Sequence, residues 1–271
     1  MKRKLSVPTN RIKSPIAKLA FALINLLSKS KSGQTFLTLT TLFTVNQSRS
    51  TKMRDEEIDF AFVSDTWLTK RFTDVEDLEP DTLSWIDSFE EKSVLWDIGA
   101  NIGGYSIYAA KAKNSQVIAF EPSPFNLEFL ARNIWLNSLE RNITVIPIAL
   151  SEFTASAPFR MSRAEWAGSH SNFGEGDTPV SDYFTYPTIG IPIDLVSSVF
   201  NLPHPDYIKL DVDGIEGLIL AGGKSVLSQV KEVLVELPEG KSGQDLVITC
   251  LSQAGLRKQR VARHNEIWVR D

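Results

Sequence analysis

Cysteine is almost absent from this chain of 271 residues, histidine is scarce, and acidic side chains are missing altogether from the first 54 residues. The single cysteine, Cys250, excludes a disulfide framework within the chain and a thiolate metal cluster, so a reducing, cytoplasmic compartment is the default reading. The three histidines, His170, His204 and His264, lie far apart and lack metal-ligand spacing such as HExxH. Internal repeats and low-complexity runs are also missing. The GxGxxG fingerprint of dinucleotide enzymes does not occur at the chain's glycine turn, where the spacing is Gly99, Gly103 and Gly104.

The missing acid makes the charge strongly asymmetric beneath a net charge of −4. Residues 1–54 hold 11 of the 29 Lys and Arg, and the remaining 217 residues carry 18 basic against 33 acidic side chains, a net of −15. An acidic body argues against nucleic acid as the partner, because phosphate binding needs a basic face. Within the basic arm, SPIAKLAFALINLL (14–27) has helical spacing of Ile16, Leu19, Ala20, Leu23 and Leu27. Lys18 interrupts the run, and it falls short of the about 20 apolar residues that span a bilayer. SKSKSG (28–33) is a poor match to a secretory cleavage site. Three readings of the arm stay open: a helix packed on the domain, an interfacial helix held against anionic lipid, or a disordered lead-in. The expected organisation is a basic, partly helical extension over 1–60 and one α/β domain over 61–271, large enough to bury a full core.

From residue 93 onward, short apolar runs alternate with helical patterns, which predicts a mainly parallel sheet covered by helices on both faces. Strands are expected at SVLWDI (93–98), QVIAFE (116–121), NITVIPIAL (142–150), IPIDL (191–195), YIKLDV (207–212) and EVLVEL (232–237). Helices are expected at 123–137, with Ser123 as N-cap and Pro124 at the first helical position, and at the start of 213–230, ended by Gly222 and Gly223. A further helix covers 244–254, and LRKQRVAR with EIWVR reads as a closing antiparallel hairpin. The segment 164–190 is rich in Gly, Ser, Asp and aromatics and reads as a long loop or irregular hairpin.

Ligands of such sheets bind outside the carboxyl ends of the strands. Acids dominate those ends: Asp97, Glu121, Asp211, Asp213 and Glu236. Gly99 and Gly103 permit close approach of main chain to ligand, and the helix that follows aims N–H groups at it. A pyrophosphate beside Asp97 is disfavoured by Coulomb repulsion on the order of several kcal/mol in a partly desolvated cleft. Glu121 suits the two hydroxyls of a ribose. A ribose ligand with positive groups in place of phosphates describes S-adenosylmethionine.

DIGANIGGYS (97–106), VIAFEPSPFNLEFLARNIWLN (117–137), IPIALSE (146–152) and IPIDLV…DYIKLDVDGIEGLILAGG…EVLVEL (191–237) together resemble the FkbM family of S-adenosylmethionine-dependent methyltransferases. The resemblance implies a class I methyltransferase fold: a Rossmann-like three-layer sandwich, its seven-stranded sheet ending in an antiparallel hairpin. It implies methyl transfer to a hydroxyl of a small molecule, sugar or glycan. By position, Asp97, Gly99, Asn101 and Gly103 hold the methionine part, Glu121 the ribose, Pro122 and Ser123 flank the adenosine, and Ala149 and Leu150 border the adenine. The family's DVEGAE stands here as DVDGIE, so Asp213 reaches one methylene less than Glu and Ile215 adds bulk near the acceptor.

An alcohol acceptor must lose its proton near the moment of attack. Asp211, Asp213 and His264 are the general-base candidates, and Lys209 can orient or polarise the acceptor. A metal-free site is the favoured reading, with a divalent ion on Asp211 and Asp213 as its rival. Simpler roles stand beside these: Asp97, Asp211 or Asp213 capping a helix, Glu121 and Glu236 closing strands, Glu216 salt-bridging at a helix start. His170 and Trp166 sit in the long segment, where a substrate contact and a solvated position compete. Rival functions are a nicotinamide-dependent oxidoreductase and a binding protein that keeps the fold without turnover.

Overall fold

In the computed structural model, residues 14–62, 79–161, 171–174, 184–238, 240–262 and 265–271 are described. Two compact units divide them. The first, residues 14–48 with 62, holds helices α1 (Pro15–Leu27) and α2 (Lys31–Val45), started by the Ser14 and Ser30 side chains, which accept from the main-chain N–H of Ala17 and Gly33.

The second unit comprises residues 49–61 and everything described from residue 79 onward. Its framework is a seven-stranded sheet of β3 (Val94–Ile98), β4 (Gln116–Phe120), β5 (Ile143–Ile146), β10 (Tyr207–Leu210), β11 (Glu232–Glu236), β12 (Leu256–Ala262) and β13 (Asn265–Arg270). The spatial order is β12-β13-β11-β10-β3-β4-β5, with β13 antiparallel to β11 and β12 antiparallel to β13. The strands from β11 to β5 are parallel. Chain order therefore reverses between β3 and β10, the switch point where a crevice opens beyond the strand ends. This is the class I methyltransferase arrangement, antiparallel closing hairpin included.

Both faces of the sheet are covered. Trp96, Ile98, Phe120, Ile208 and Val233 belong to one buried apolar cluster. Helices α3 (Pro80–Asp87), α4 (Gly104–Ala112), α5 (Pro124–Leu136), α6 (Ile193–Phe200), α7 (Glu216–Ala221), α8 (Lys224–Leu227) and α9 (Lys241–Gln253) connect the strands.

Several expected boundaries shift for physical reasons. The third strand stops at Ile146, because Pro147 offers no N–H to the ladder; Ala149–Leu150 (β6) joins a second, four-stranded sheet. That sheet, ordered β6-β9-β7-β8, contains β7 (Ala155–Met161), β8 (Ser171–Phe173) and β9 (Phe184–Ile191). Part of the expected long loop is thus strand, paired from Ala155↔Gly190 to Met161↔Phe184. The expected strand at 191–195 is corrected: only Ile191 is extended, and α6 starts at Ile193, with Asp194 in its first turn accepting from the N–H groups of Ser225 and Val226. The helix expected at the start of 213–230 is α7, ended at Gly222, and α8 follows from Gly223.

The sequence boundary near residue 60 and the division near residue 48 differ by one hairpin, β1 (Gln47–Met53) and β2 (Glu56–Phe62). Met53, Ile58 and Phe60 are buried. The Asn133 carboxamide accepts from Ala61 N at 2.7 Å and donates to Ile102 O at 2.8 Å, which ties the hairpin to the glycine turn after β3. Asn133 is fully buried, so Asn133→Ala strands two main-chain groups without water. The substitution is expected to cost on the order of 2–4 kcal/mol in urea unfolding, and a loss below about 1 kcal/mol would show that the tie carries little.

Candidate active site

A cleft opens at the switch point. Gly99, Asn101, Glu121, Pro122, Ala149 and Leu150 line it, and Asp211 and Asp213 line it as well. With Ile215, nine of the residues singled out from sequence are brought together in this way. Asp97, Gly103, Ser123 and Lys209 are not among its lining residues, and His264, His170 and Trp166 lie outside the described residues.

The turn after β3 exists because glycine stands where it must. Gly99 has φ +86°, and a Cβ there would lie 2.0 Å from the Asp211 carbonyl oxygen. Gly103, at φ +90°, starts α4, and its Cβ would meet Leu130 Cδ1 at 2.5 Å. The first contact lets β3 and β10 close on each other at their carboxyl ends, and the second lets the start of α4 approach α5.

Glu121 is held by the main chain on both oxygens: Asn101 N donates to Oε2 at 2.8 Å and Ser123 N to Oε1 at 2.7 Å. Burial nonetheless raises its pKa to about 7, against the opposing effect of those bonds and of the Asn126 amide. Ser123 occupies the N-cap position of α5, but its hydroxyl faces Met161 Sδ and makes no capping bond. Its contribution is its N–H to Glu121.

Asp97 lies beneath the turn at 1% exposure, accepting from the Ser106 hydroxyl at 2.6 Å through Oδ2. Its Oδ1 is buried without a hydrogen-bond partner. Burial pushes its pKa up, and Lys209 and Ser106 pull it back. The register pairs Asp97 with Lys209, so both side chains sit on one face of the sheet. Lys209 is 2% exposed; its ammonium lies 2.8 Å from Asp211 Oδ2 and 5.1 Å from the centroid of the Tyr105 ring. The carboxylates of Asp211, Asp97 and Glu79 outweigh burial and raise its pKa. Lys209 thus reaches the cleft only through Asp211.

Asp213 takes a left-handed φ of +60° and accepts from Ser171 N at 3.1 Å, a link from β8 to the turn after β10. Among the described residues, Glu216 makes no salt bridge at its helix start; its Oε1 accepts from Val212 N and Gly214 N. Among the described residues, no group of three or more His, Cys, Asp or Glu is placed to hold a metal ion.

Sequence reasoning missed part of the lining. Asn126 comes from the first turn of α5, Ile148 from the bend between β5 and β6, and Phe159 and Phe173 from the second sheet. Asn126 alone left a signal, a polar residue one turn into a helix that follows an acid-ended strand. Glu236 was seen only as a strand end. It has a pKa raised to about 8 by burial and by a side-chain hydrogen bond with Asp211.

The cleft fits the cofactor deduced from the acids: Glu121 at its wall suits hydroxyls, and the buried Asp97 beneath the turn adds an unpartnered carboxylate oxygen behind the wall rather than in it. Fold and cleft together define a methyltransferase of the class I type. Residues 97–257 match the methyltransferase FkbM domain, and the chain belongs to that family, with S-adenosylmethionine as its cofactor. It is 34% identical over 173 residues to the hexuronic acid methyltransferase AglP of Haloferax volcanii, a match covering 63% of this chain and 66% of that protein. The chain thus spans just under two thirds of that relative's length. Solved structures with a likeness include precorrin-6Y C5,15-methyltransferase of Geobacter metallireducens, at 17% identity, 71% and 86% coverage of the two chains and a TM-score of 0.40. TYW2 of Pyrococcus horikoshii in complex with MeSAdo shows 12% identity, 83% and 70% coverage and a TM-score of 0.43.

The raised pKa of Glu121 sets a pH dependence. The folded state holds this proton more tightly than the unfolded chain, so stability is greatest below about 4.5 and is lost as pH rises through about 7. The loss from this one group is about 3 kcal/mol. Thermal melts of ligand-free protein should show a shallower decline between those values in Glu121→Gln than in the wild type; identical slopes would mean that Glu121 titrates normally.

Proposed function

We propose that the protein transfers the methyl group of S-adenosylmethionine to a hydroxyl oxygen of a sugar. The observation that carries this reading is the acid-lined cleft at the switch point, with buried Glu121 at its wall and Asp97 beneath it. The 34% identity to a hexuronic acid methyltransferase supports a sugar as the acceptor. In this reading Asp97, Gly99, Asn101 and Gly103 hold the methionine part and Glu121 accepts from the ribose hydroxyls. Pro122 and Ser123 flank the adenosine, and Ala149 and Leu150 border the adenine. When bound, the cofactor supplies an electrophilic methyl carbon. The chain's contribution is alignment of the acceptor oxygen and removal of its proton, for which Asp211, partly exposed and lining the cleft, is best placed. Lys209 orients Asp211, and Asp213 serves the acceptor side through its link to Ser171. The catalytic domain in this reading begins with the β1–β2 hairpin.

The basic arm supports a second element of the proposal, peripheral contact with anionic lipid. Ten large apolar side chains of α1 and α2 are exposed, Leu19, Leu23, Leu39 and Phe43 among them, and no acid precedes Asp55. No described helix is long and apolar enough to cross a membrane.

A panel of sugars and uronic acids incubated with labelled cofactor should give labelled product, and the transfer should survive excess EDTA. Calorimetry should detect S-adenosylhomocysteine, with Asp97→Ala and Glu121→Ala each weakening it about tenfold or more. Binding of NAD in place of the homocysteine would overturn the reading. For the arm, the full-length protein should float with phosphatidylglycerol vesicles but not phosphatidylcholine, and Leu19→Glu with Leu23→Glu should abolish this. Equal recovery by all four combinations would refute lipid contact.

A further inference from the structure

Glu236 ends β11, and the register carries it next to the cleft. Lys209 pairs with Leu234 and Leu210 with Val235, so the next step along both strands sets Asp211 beside Glu236. The Glu236 carboxyl comes within hydrogen-bonding reach of the Asp211 carboxyl. Such a bond needs one proton between them, since two ionised carboxylates in contact repel. Lys209, at 2.8 Å from Asp211 Oδ2, compensates one negative charge and leaves the second uncompensated.

We propose that Glu236 is a positioning residue for methyl transfer: it shares a proton with Asp211 and so fixes the Asp211 carboxylate toward the acceptor hydroxyl. The inference rests on the reading of the cleft as a methyl-transfer site. In the step it serves, the acceptor oxygen forms a bond to the methyl carbon while the carbon–sulfur bond breaks. The electron pair of that bond stays on sulfur, and the hydroxyl proton passes to Asp211. Glu236 donates to Asp211 before the step, and the proton it holds is not consumed.

The surroundings favour a neutral Glu236. Asp211, Asp213 and Glu216 face it from the turn after β10 and the start of α7, and each disfavours a further negative charge. On its other side the register places the uncharged Asn265 of β13. Asn265 Nδ2 lies 3.5 Å from the Thr82 hydroxyl of α3, which donates to Glu79, so that element adds an acid and no cation. Among the described residues, the ammonium near the pair is that of Lys209, which is already engaged by Asp211.

Glu236→Gln keeps a donor to Asp211 without the ionisation, and Glu236→Ala removes it. The alanine variant is expected to lower kcat by about 10- to 100-fold with little change in S-adenosylhomocysteine affinity. The glutamine variant should restore most of kcat at neutral pH and remove the fall in kcat that the wild type shows as Glu236 ionises above about 8. In carbon-13 titrations of ligand-free protein, the Glu236 carboxyl should stay protonated at neutral pH, and Asp211→Asn should lower its midpoint by about one unit or more. Wild-type kcat and pH profile in Glu236→Ala, or a Glu236 midpoint in the ordinary glutamate range, would overturn the inference. Failure of the wild type to methylate any sugar would instead overturn the proposed function, and the titration would still decide whether the proton is shared.

Discussion

The buried ammonium of Lys209 is the contact on which the cleft depends. It lies at 2% exposure in the centre of a sheet, on the same face as Asp97 and within 2.8 Å of Asp211. Removing one member of a buried charge set leaves its partners uncompensated, at a cost of about 3–5 kcal/mol. Period-2 alternation fixes who shares that face. Asp97 neighbours Lys209, Asp211 lies two residues on, and Glu236 follows on the adjacent strand. One cation therefore serves several acids, and the carboxyl edge of the sheet stays net negative. A cationic, hydroxyl-bearing ligand complements that field, and a diphosphate opposes it.

Such an edge opposes folding in the absence of ligand. Asp97, Glu121, Glu216 and Glu236 all have pKa values raised by burial, so the ionised form of each is less favourable inside the fold than in the unfolded chain. The apolar cluster around Trp96, Phe120 and Val233 and the Asn133 tie to the β1–β2 hairpin hold the edge together regardless. A ligand that supplies positive charge and hydroxyl donors then stabilises the fold by mass action as it binds. Binding and stability are coupled through the same carboxylates.

The half of the cleft proposed to hold the cofactor was legible in the sequence because its residues sit on regular elements. An apolar run ending in Asp97, a glycine turn and a second run ending in Glu121 have a fixed spatial meaning in a parallel sheet, and the register is as those patterns require. Errors fell where periodicity and pairing part company. IPIDL alternates like a strand, yet Pro192 removes an N–H and Asp194 finds partners at the start of α8, so a helix forms. NITVIPIAL reads as one strand but is cut by Pro147 into two sheets. Ser123 matches a capping residue by type, yet its N–H is what the site uses. Lys209 and Glu236 could be placed at strand ends from sequence, whereas their joint hold on Asp211 needs the register between β10 and β11.

The wall of the cleft supplied by the second sheet follows a different logic. Phe159, Phe173 and Ser171 reach the cleft from the second sheet, whose strands pair Ala155 with Gly190 and Phe159 with Phe173 across irregular, polar sequence. A strand whose faces do not alternate cleanly carries little information about its register. Its attachment to the cofactor half runs through Asp213, which accepts the left-handed torsion of +60° while receiving the Ser171 N–H. Asp and Asn tolerate that torsion better than the longer Glu, because a short side chain can bond locally there. Asp at this position thus suits a strained turn that anchors β8. The same segment that departs from the DVEGAE pattern is the one that joins the second sheet's wall of the cleft to the turn after β10.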